Sequence, residues 1–387
     1  MDFDIIIVGG GLAGAALAAA LSGSSYRIAV LESRPPVIPS GWDSRVYAVS
    51  PASSAFLGTI GIWQHLDAER ISPVHSMRIR GDDNGQLDFS AYDSGLGELA
   101  WIVESGRIHH ELWETIKRQR NVTLIGGVAP SALEQRPDSV TLRLPEGRAL
   151  NGRLVVGADG VSSWVRDQVG ISADVRPYGE QGVVANFRCA KPHRQRAFQW
   201  FRDDGILALL PLPGGMVSMV WSCPDAQADA LCSAPPDELA QRVTLACGGE
   251  LGALEVITPA RAFPLRFMRV AELVRPRVAL IGDAAHAIHP LSGHGINLGF
   301  LDAQALADVL QALPQWRDPG ELAVLRKYAR IRAEEPLLLQ YATHGLNRLF
   351  ASGNPVLAFA RNVGLNLTGH LPVVRNALVR YATNARL

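Results

Sequence analysis

The sequence predicts an α/β protein in which a parallel sheet carries an inserted antiparallel sheet and is followed by a helical C-terminal segment. Three observations support this. Three short, wholly apolar runs end in glycine-rich or Gly-Asp turns, as strands buried on both faces of a parallel sheet do. Two other stretches alternate polar and apolar residues, as antiparallel strands do. From about residue 327 the spacing is helical, interrupted by prolines.

Composition limits the class of protein before any motif is considered. The chain has 387 residues, of which 48% are hydrophobic and 19% charged, so it can fill a core and is predicted to form two or three domains. Lys plus Arg and Asp plus Glu are 37 each, so the net charge is zero, which argues against a nucleic-acid partner. The four cysteines have no C-x-x-C spacing, and we expect neither disulfides nor a metal site.

The first element is a βαβ unit with a glycine-rich turn. Asp4–Val8 is a β-branched strand, Gly9–Gly14 reads G-x-G-x-x-G, and Ala15–Leu21 is a helix of small residues. A second apolar strand, Arg27–Leu31, ends in Glu32. Strand, turn, helix and acid stand in the order of the Rossmann-like dinucleotide site.

Each part of this unit has a physical task. Gly9 permits the tight turn, Gly11 lets a pyrophosphate approach the backbone, and Gly14 allows close packing of helix on sheet. The helix N-terminus offers free N–H groups to the phosphates. Glu32 can accept hydrogen bonds from ribose hydroxyls, which favours FAD or NAD over NADP. The alternative is a purely structural glycine-rich turn.

Two later strands end in similar turns. Arg153–Ala158 precedes Asp159, and Arg277–Ile281 precedes Gly282-Asp283. Gly293–Asn297 then opens a helix that continues to about Leu310. A single Gly-Asp turn is commonly structural, but three such strand ends predict one ligand site at the carboxyl edge of the sheet.

The stretches 72–100 and 182–269 are predicted to form the antiparallel sheet over this site. The uncharged run Gly205–Pro224 is long enough to prompt a membrane interpretation. Its central prolines and glycines favour a hairpin of strands Ile206–Leu210 and Met216–Trp221 instead. We therefore expect no transmembrane helix.

With these motifs, over nearly its whole length, the sequence resembles the class A flavin monooxygenases, and within them the ubiquinone-biosynthesis hydroxylases. Gly9–Gly14, Asp159 and Gly282-Asp283 are similar to the three family motifs. The segment Asp43–Ser50 resembles the quinone hydroxylases, in which the arginine corresponding to Arg45 lies by the flavin. The chain departs from the family at His294, where Gln is usual, and at Ser292, where Ala is usual.

The resemblance implies an enzyme that binds FAD and uses NAD(P)H and O₂. It would hydroxylate the aromatic ring of a polyprenylated phenol or quinol precursor in ubiquinone biosynthesis, through a flavin hydroperoxide. Two alternatives stay open: a hydroxylase of a small soluble aromatic metabolite, and a flavin-bound scaffold of a quinone-biosynthesis complex with little turnover.

The resemblance also implies site residues. The catalytic candidates are His109, Pro290 and His294. For His109 the alternative is a surface histidine on a helix, and for His294 a neutral spacer. The cofactor-binding candidates are Gly9, Gly11, Leu12, Ala13, Gly14, Glu32, Arg45, Val128, Asp159, Asp283, Gly293, Gly295, Ile296 and Asn297.

The predicted domains are discontinuous. Residues 1–71, 101–181 and 270–345 would bind FAD, residues 72–100 and 182–269 would form the substrate sheet, and 346–387 the C-terminal helical segment. From Pro336 onward the chain has five arginines and no acidic residue, which fits either a helix packed on the body or a peripheral contact with an anionic membrane. The acidic start without a signal peptide predicts a cytoplasmic protein, with the inner face of the cytoplasmic membrane as the site of any such contact. Other quinone-biosynthesis proteins are candidate partners.

Overall fold

The computed structural model describes residues 2–37, 40–81, 85–288 and 295–339. The strands in these ranges are β1 (Ile5–Val8), β2 (Ile28–Glu32), β3 (Val46–Val49), β4 (Ser72–Val74), β5 (Ser76–Arg80), β6 (Gln86–Ser90), β7 (Ala100–Glu104), β8 (Val122–Gly126), β9 (Ala132–Gln135), β10 (Val140–Arg143), β11 (Ala149–Gly152), β12 (Leu154–Gly157), β13 (Ala173–Cys189), β14 (Arg196–Arg202), β15 (Gly205–Leu212), β16 (Met216–Pro224), β17 (Leu254–Val256), β18 (Arg261–Val270), β19 (Val274–Arg275), β20 (Val278–Leu280) and β21 (His286–Ala287). The helices are α1 (Leu12–Ala20), α2 (Pro51–Thr59), α3 (Ser105–Lys117), α4 (Trp164–Gln168), α5 (Asp225–Ser233), α6 (Pro236–Ala246), α7 (Gly295–Gln311) and α8 (Leu322–Ile331).

The parallel sheet has the strand order β19-β20-β12-β1-β2-β8, and only β19 runs antiparallel to its neighbour. Both faces of its strands are buried. Ile5 and Ile7 point into a core shared with α1, α3, α7 and α8, whereas Ile6 and Val8 pack towards the small sheet β11-β10-β9. This explains the unbroken apolar runs of the sequence, since each face of the strand meets its own apolar layer. The four predicted parallel strands, seen as β1, β2, β12 and β20, and helix α1 are confirmed.

The antiparallel sheet has the order β21-β18-β13-β16-β15-β14-β5-β6, with β17 paired to β13 and one parallel contact between β14 and β5. A second small sheet, β3-β7-β4, shares an apolar cluster with the antiparallel sheet. The predicted hairpin is confirmed as β15 and β16. The described residues contain no helix of the length and apolarity required to cross a membrane.

One part of the strand prediction is wrong. Strands were expected throughout 182–269, but residues 225–246 form α5 and α6, which cover the outer face of the antiparallel sheet. Pro236 at the start of α6, followed by two acidic residues, is a helix-start signal that stabilises this helix locally. The α/β fold with a parallel and an antiparallel sheet is confirmed. The predicted C-terminal helical segment, 346–387, lies outside the described residues, and the domain ranges stay predictions.

Candidate functional site

The carboxyl ends of five parallel strands bring the predicted ligand-binding residues to one edge of the sheet. Each strand contributes the residue or loop that follows or ends it: Gly9–Gly14 from β1, Glu32 from β2, Val128 from β8, Asp159 from β12 and Asp283 from β20. In open α/β sheets this edge is where ligands bind. The fold therefore places residues that are up to 274 positions apart in the sequence along one edge.

The three motifs also touch one another. Gly9 has a φ of +102°, and a Cβ there would lie 2.3 Å from the carbonyl oxygen of Ala158, just before the second motif. Gly282, with a φ of +59°, would place a Cβ 3.0 Å from the Cβ of Ala13 on the first turn of α1. Both positions need glycine for its backbone conformation and for the close approach.

The start of α1 suits a phosphate group. No side chain caps the helix at Gly11, and its first turn contains no acidic residue, so its N–H groups and dipole face outward. A Cβ added to Gly11 would meet no atom within 4 Å, which leaves room for a ligand beside the backbone. Leu12 and Ala13 are partly exposed at the same turn. These residues fit the pyrophosphate of a dinucleotide.

Hydrogen bonds hold the backbone of Gly10 at both its N–H group and its carbonyl group. Its N–H donates to Glu32 Oε2 at 2.8 Å, and its carbonyl accepts from His109 Nε2 and Trp113 Nε1, each at 2.8 Å. His109 and Trp113 are one turn apart on α3. Burial lowers the pKa of His109, which favours the neutral ring with its proton on Nε2. His109 therefore contacts the glycine loop. Trp113 contacts it as well, a role that the sequence did not indicate.

The two motif aspartates have unusual environments. Asp159 Oδ2 caps α4 by accepting from Val165 N at 3.0 Å, while its buried Oδ1 has no hydrogen-bond partner among the described residues. Burial raises the pKa of Asp159. Asp283 is exposed to solvent at the end of β20, beside the positive charges of His286 and Arg45. An unpaired acceptor and an exposed carboxylate are groups that ligand hydroxyls can satisfy.

Arg45 lies between two aromatic rings. Its guanidinium carbon is 5.4 Å from the ring centre of Tyr47 and 5.8 Å from that of Phe263 on β18. Tyr47 is partly buried, and the loss of hydration raises its pKa. Arg45 therefore bridges β3 and the antiparallel sheet through cation–π contacts, with its charge felt at Asp283.

The helix after the third motif contributes a buried amide. Asn297 Oδ1 accepts from Ser50 N at 2.9 Å, and its Nδ2 donates to Ala48 O at 2.8 Å. Its side chain thus joins α7 to the end of β3, while Gly295 and Ile296 are partly exposed at the helix start.

Several predicted site residues are not described. The catalytic candidates Pro290 and His294, and the cofactor-binding candidate Gly293, lie outside the described residues. Over the four described ranges, no cluster of three or more His, Cys, Asp or Glu side chains is arranged to hold a metal ion.

Comparison with known proteins agrees with this geometry. The FAD binding domain family model matches residues 2–335. Ubiquinone hydroxylase UbiL of Rhodospirillum rubrum is 31% identical, with 98% of this chain and 89% of the relative covered. The 3-demethoxyubiquinol 3-hydroxylase of Escherichia coli is also 31% identical, with 98% of each covered.

Among solved structures, p-nitrophenol 4-monooxygenase PnpA from Pseudomonas putida has a similar fold, with a TM-score of 0.80, 21% identity and 99% of each chain covered. PqsL of P. aeruginosa, solved with 2-aminobenzoylacetate, gives a TM-score of 0.78 at 23% identity, over 94% of this chain and 99% of that one. The chain therefore belongs to the FAD-binding domain family, in the group of class A flavin monooxygenases that contains the ubiquinone-biosynthesis hydroxylases.

Proposed function

We propose that this chain is an FAD-dependent monooxygenase that hydroxylates the aromatic ring of a polyprenylated phenol or quinol precursor of ubiquinone, with NAD(P)H and O₂ as co-substrates. The observation that carries the proposal is the convergence of all three motifs at the carboxyl edge of the parallel sheet. Similarity to a 3-demethoxyubiquinol 3-hydroxylase over 98% of both chains supports the choice of substrate class.

FAD, when bound, supplies the redox chemistry, and the protein supplies position and charge. The N-terminus of α1 would hold the pyrophosphate. Glu32 would accept a ribose hydroxyl, because a carboxylate has about four acceptor sites and three are occupied, by the backbone N–H groups of Gly10 and Arg34 and by the Ser33 hydroxyl at 3.4 Å. Asp283 would hold the ribityl chain. Arg45 would place positive charge beside the flavin ring, where it stabilises the anionic reduced form.

On the substrate side, an apolar cluster lies where β3 meets the antiparallel sheet. It includes Val46, next to Arg45, together with Leu210, Leu212 and Met216. A substrate ring that lay against this cluster would meet apolar side chains, which supports an apolar aromatic substrate over a charged one. We propose His109, Pro290 and His294 as the residues nearest the chemistry. For His109 the contact with Gly10 supports a role in fixing the cofactor loop.

The first test uses purified protein loaded with FAD. Oxygen uptake is measured with NADH or NADPH, with a polyprenylated phenol, with a small aromatic acid, or with no substrate. Uptake and hydroxylated product with the polyprenylated phenol alone support the proposal. Product from the small acid alone favours the soluble-metabolite alternative, and binding without turnover favours a scaffold. In the native host, deletion of the gene should cause a precursor that lacks one ring oxygen to accumulate, as measured by mass spectrometry of extracted quinones.

We also propose that the protein contacts an anionic membrane through its basic C-terminal segment and works beside other quinone-biosynthesis proteins. The five arginines after Pro336, without any acidic residue, support this contact. Flotation with anionic liposomes compares the intact chain with one that ends at Gly345. Equal flotation of both chains contradicts the proposal.

A further inference from the structure

A buried charge cluster lies directly behind the Gly282-Asp283 turn. Its centre is the fully buried carboxylate of Asp302 on α7. Asp302 Oδ2 accepts from the backbone N–H of Gly282 at 2.9 Å and from His286 Nε2 at 2.7 Å. Asp302 Oδ1 accepts from Arg332 Nε at 2.7 Å. His286 and Arg332 are each only 5% exposed.

Burying such a cluster costs free energy, because each charged group loses its hydration and must be compensated by partners within the protein. Here the geometry compensates most of it. The carboxylate of Asp302 receives three donors, and one outer guanidinium nitrogen of Arg332, Nη1, pairs with Glu335. The other, Nη2, is buried without a hydrogen-bond partner among the described residues. Replacing a buried ionic cluster by well-packed apolar side chains is often neutral or stabilising, so stability alone does not explain the cluster.

The cluster reaches the cofactor site through the backbone. The N–H group that donates to Asp302 belongs to Gly282, the residue before Asp283. Gly282 has a φ of +59°, one of several conformations that a glycine adopts readily, and the hydrogen bond to Asp302 helps to select it. His286 closes the other side of the same turn. Because Asp302 comes from α7, it fixes the turn relative to the helix that starts at the site.

We propose that Asp302, together with His286 and Arg332, positions the Gly282-Asp283 turn for FAD, so that the charge on this cluster sets the affinity for the cofactor. The three side chains are positioning residues and need not touch FAD. The inference rests on FAD binding alone and is independent of the substrate proposed above.

The groups that face His286 define the expected pH dependence. They are Asp302 from α7, Arg332 after α8, Asp283 on its own turn and, across the strand pair, Arg269 of β18. Burial lowers the pKa of His286, but the carboxylate of Asp302 more than offsets this, and the net pKa is raised. The imidazolium is therefore present below the ordinary value of about 6.5 and is lost as pH rises through the raised pKa.

The experiment measures the dissociation constant of FAD, by flavin fluorescence quenching, on apoprotein stripped of cofactor, from pH 6 to pH 9. Asp302→Asn should weaken binding about tenfold or more, the scale of losing hydrogen bonds to a charged group. In the unmodified protein affinity should decline as pH rises over the upper part of this range. His286→Gln keeps a donor but cannot titrate, so it should flatten that decline.

Arg277→Met is the matched control. Arg277 is also 5% exposed and forms an ion pair with Asp318 at 2.6 Å, but it precedes β20, whereas Gly282 follows the same strand. It should reduce the unfolding free energy without changing the FAD affinity. Arg332→Gln, which removes the positive charge but keeps a hydrogen-bond donor, replaces Asp302→Asn if the latter does not fold. The proposal is overturned if the Asp302 or Arg332 variant binds FAD as the unmodified protein does, if Arg277→Met weakens binding equally, or if His286→Gln leaves the pH profile unchanged.

Discussion

At the residue scale, the hydrogen bonds of the Gly10 backbone explain how a glycine-rich loop is held in a conformation that can bind a cofactor. A loop without side chains cannot hold itself in place, and glycine has the largest backbone entropy to lose. Glu32 from β2 binds the N–H of Gly10, while His109 and Trp113 from α3 bind its carbonyl. The loop is therefore fixed by the two elements beside it before any ligand arrives, which lowers the entropic cost of binding.

Removing both donors to the Gly10 carbonyl should cost more than the sum of the single changes. Trp113→Phe and His109→Leu should each lower the unfolding free energy by about 1 kcal/mol, because the carbonyl keeps its other donor. The double variant leaves a buried carbonyl unpaired, and we expect a coupling of about 1 kcal/mol. Urea unfolding of the four proteins measures the cycle, and the FAD dissociation constant should rise in the same order. Strict additivity would contradict this interpretation.

His109 should also make stability depend on pH. Burial lowers its pKa in the folded protein, so below the ordinary value of about 6.5 the unfolded chain binds a proton that the folded chain does not. Its contribution therefore destabilises the protein as pH falls from 7 to 5.5. His109→Leu removes this pH-dependent loss of stability. The difference in unfolding free energy between pH 7 and pH 5.5 should therefore be smaller than in the unmodified protein. An unchanged difference would mean that His109 ionises freely in the folded state.

At the element scale, the contact of the third motif with α1 requires the absence of a side chain. Gly282→Ala would introduce a left-handed alanine, which costs about 1 kcal/mol, and an overpacked contact with Ala13, which adds about 1–3 kcal/mol. Gly23→Ala is the control, since Gly23 has a φ of +71° and open space around it. Thermal unfolding should show a larger loss of stability for Gly282→Ala than for Gly23→Ala, and the difference should equal the cost of the overpacked contact with Ala13. Only Gly282→Ala should weaken FAD binding. Equal losses would show that backbone conformation is the whole effect.

The same scale shows what the sequence could predict. Parallel strands and α1 were predictable because their signals are local: unbroken β-branched runs and a glycine turn. Helices α5 and α6 were missed because strongly alternating neighbours outweighed a local start signal at Pro236. Two contacts could not be predicted in this way: that of Trp113 with Gly10, 103 positions apart, and that of Asp302 with Gly282, 20 positions apart. Only the packed fold brings these residues together.

At the scale of the whole molecule, the antiparallel sheet joins the cofactor-binding body through polar and aromatic contacts near Asp43–Tyr47. Asn186 Nδ2 on β13 donates to Asp43 O at 2.9 Å, and two residues later Arg45 lies between Tyr47 and Phe263. Among the described residues Arg45 contacts aromatic rings and forms no ion pair with a carboxylate, so we expect its charge to be available to a bound anion. We therefore propose that Arg45, at the contact between the two sheets, also supplies positive charge to the cofactor site.

Arg45→Met should accordingly lower the midpoint potential of bound FAD, because the reduced anionic flavin loses a nearby cation. A shift of about 30 mV, equal to a tenfold change in the two-electron equilibrium, is expected. Arg45→Lys keeps the positive charge and should therefore change the midpoint potential less, although an ammonium packs less well against aromatic rings than a guanidinium does. Arg266→Met, which removes an exposed charge from the same strand as Phe263, serves as the control and should leave the potential unchanged. Spectroelectrochemical titration of the four proteins measures the effect. If Arg45→Met and the unmodified protein have the same potential, Arg45 does not lie beside the flavin, and its part in the proposed site must be given up.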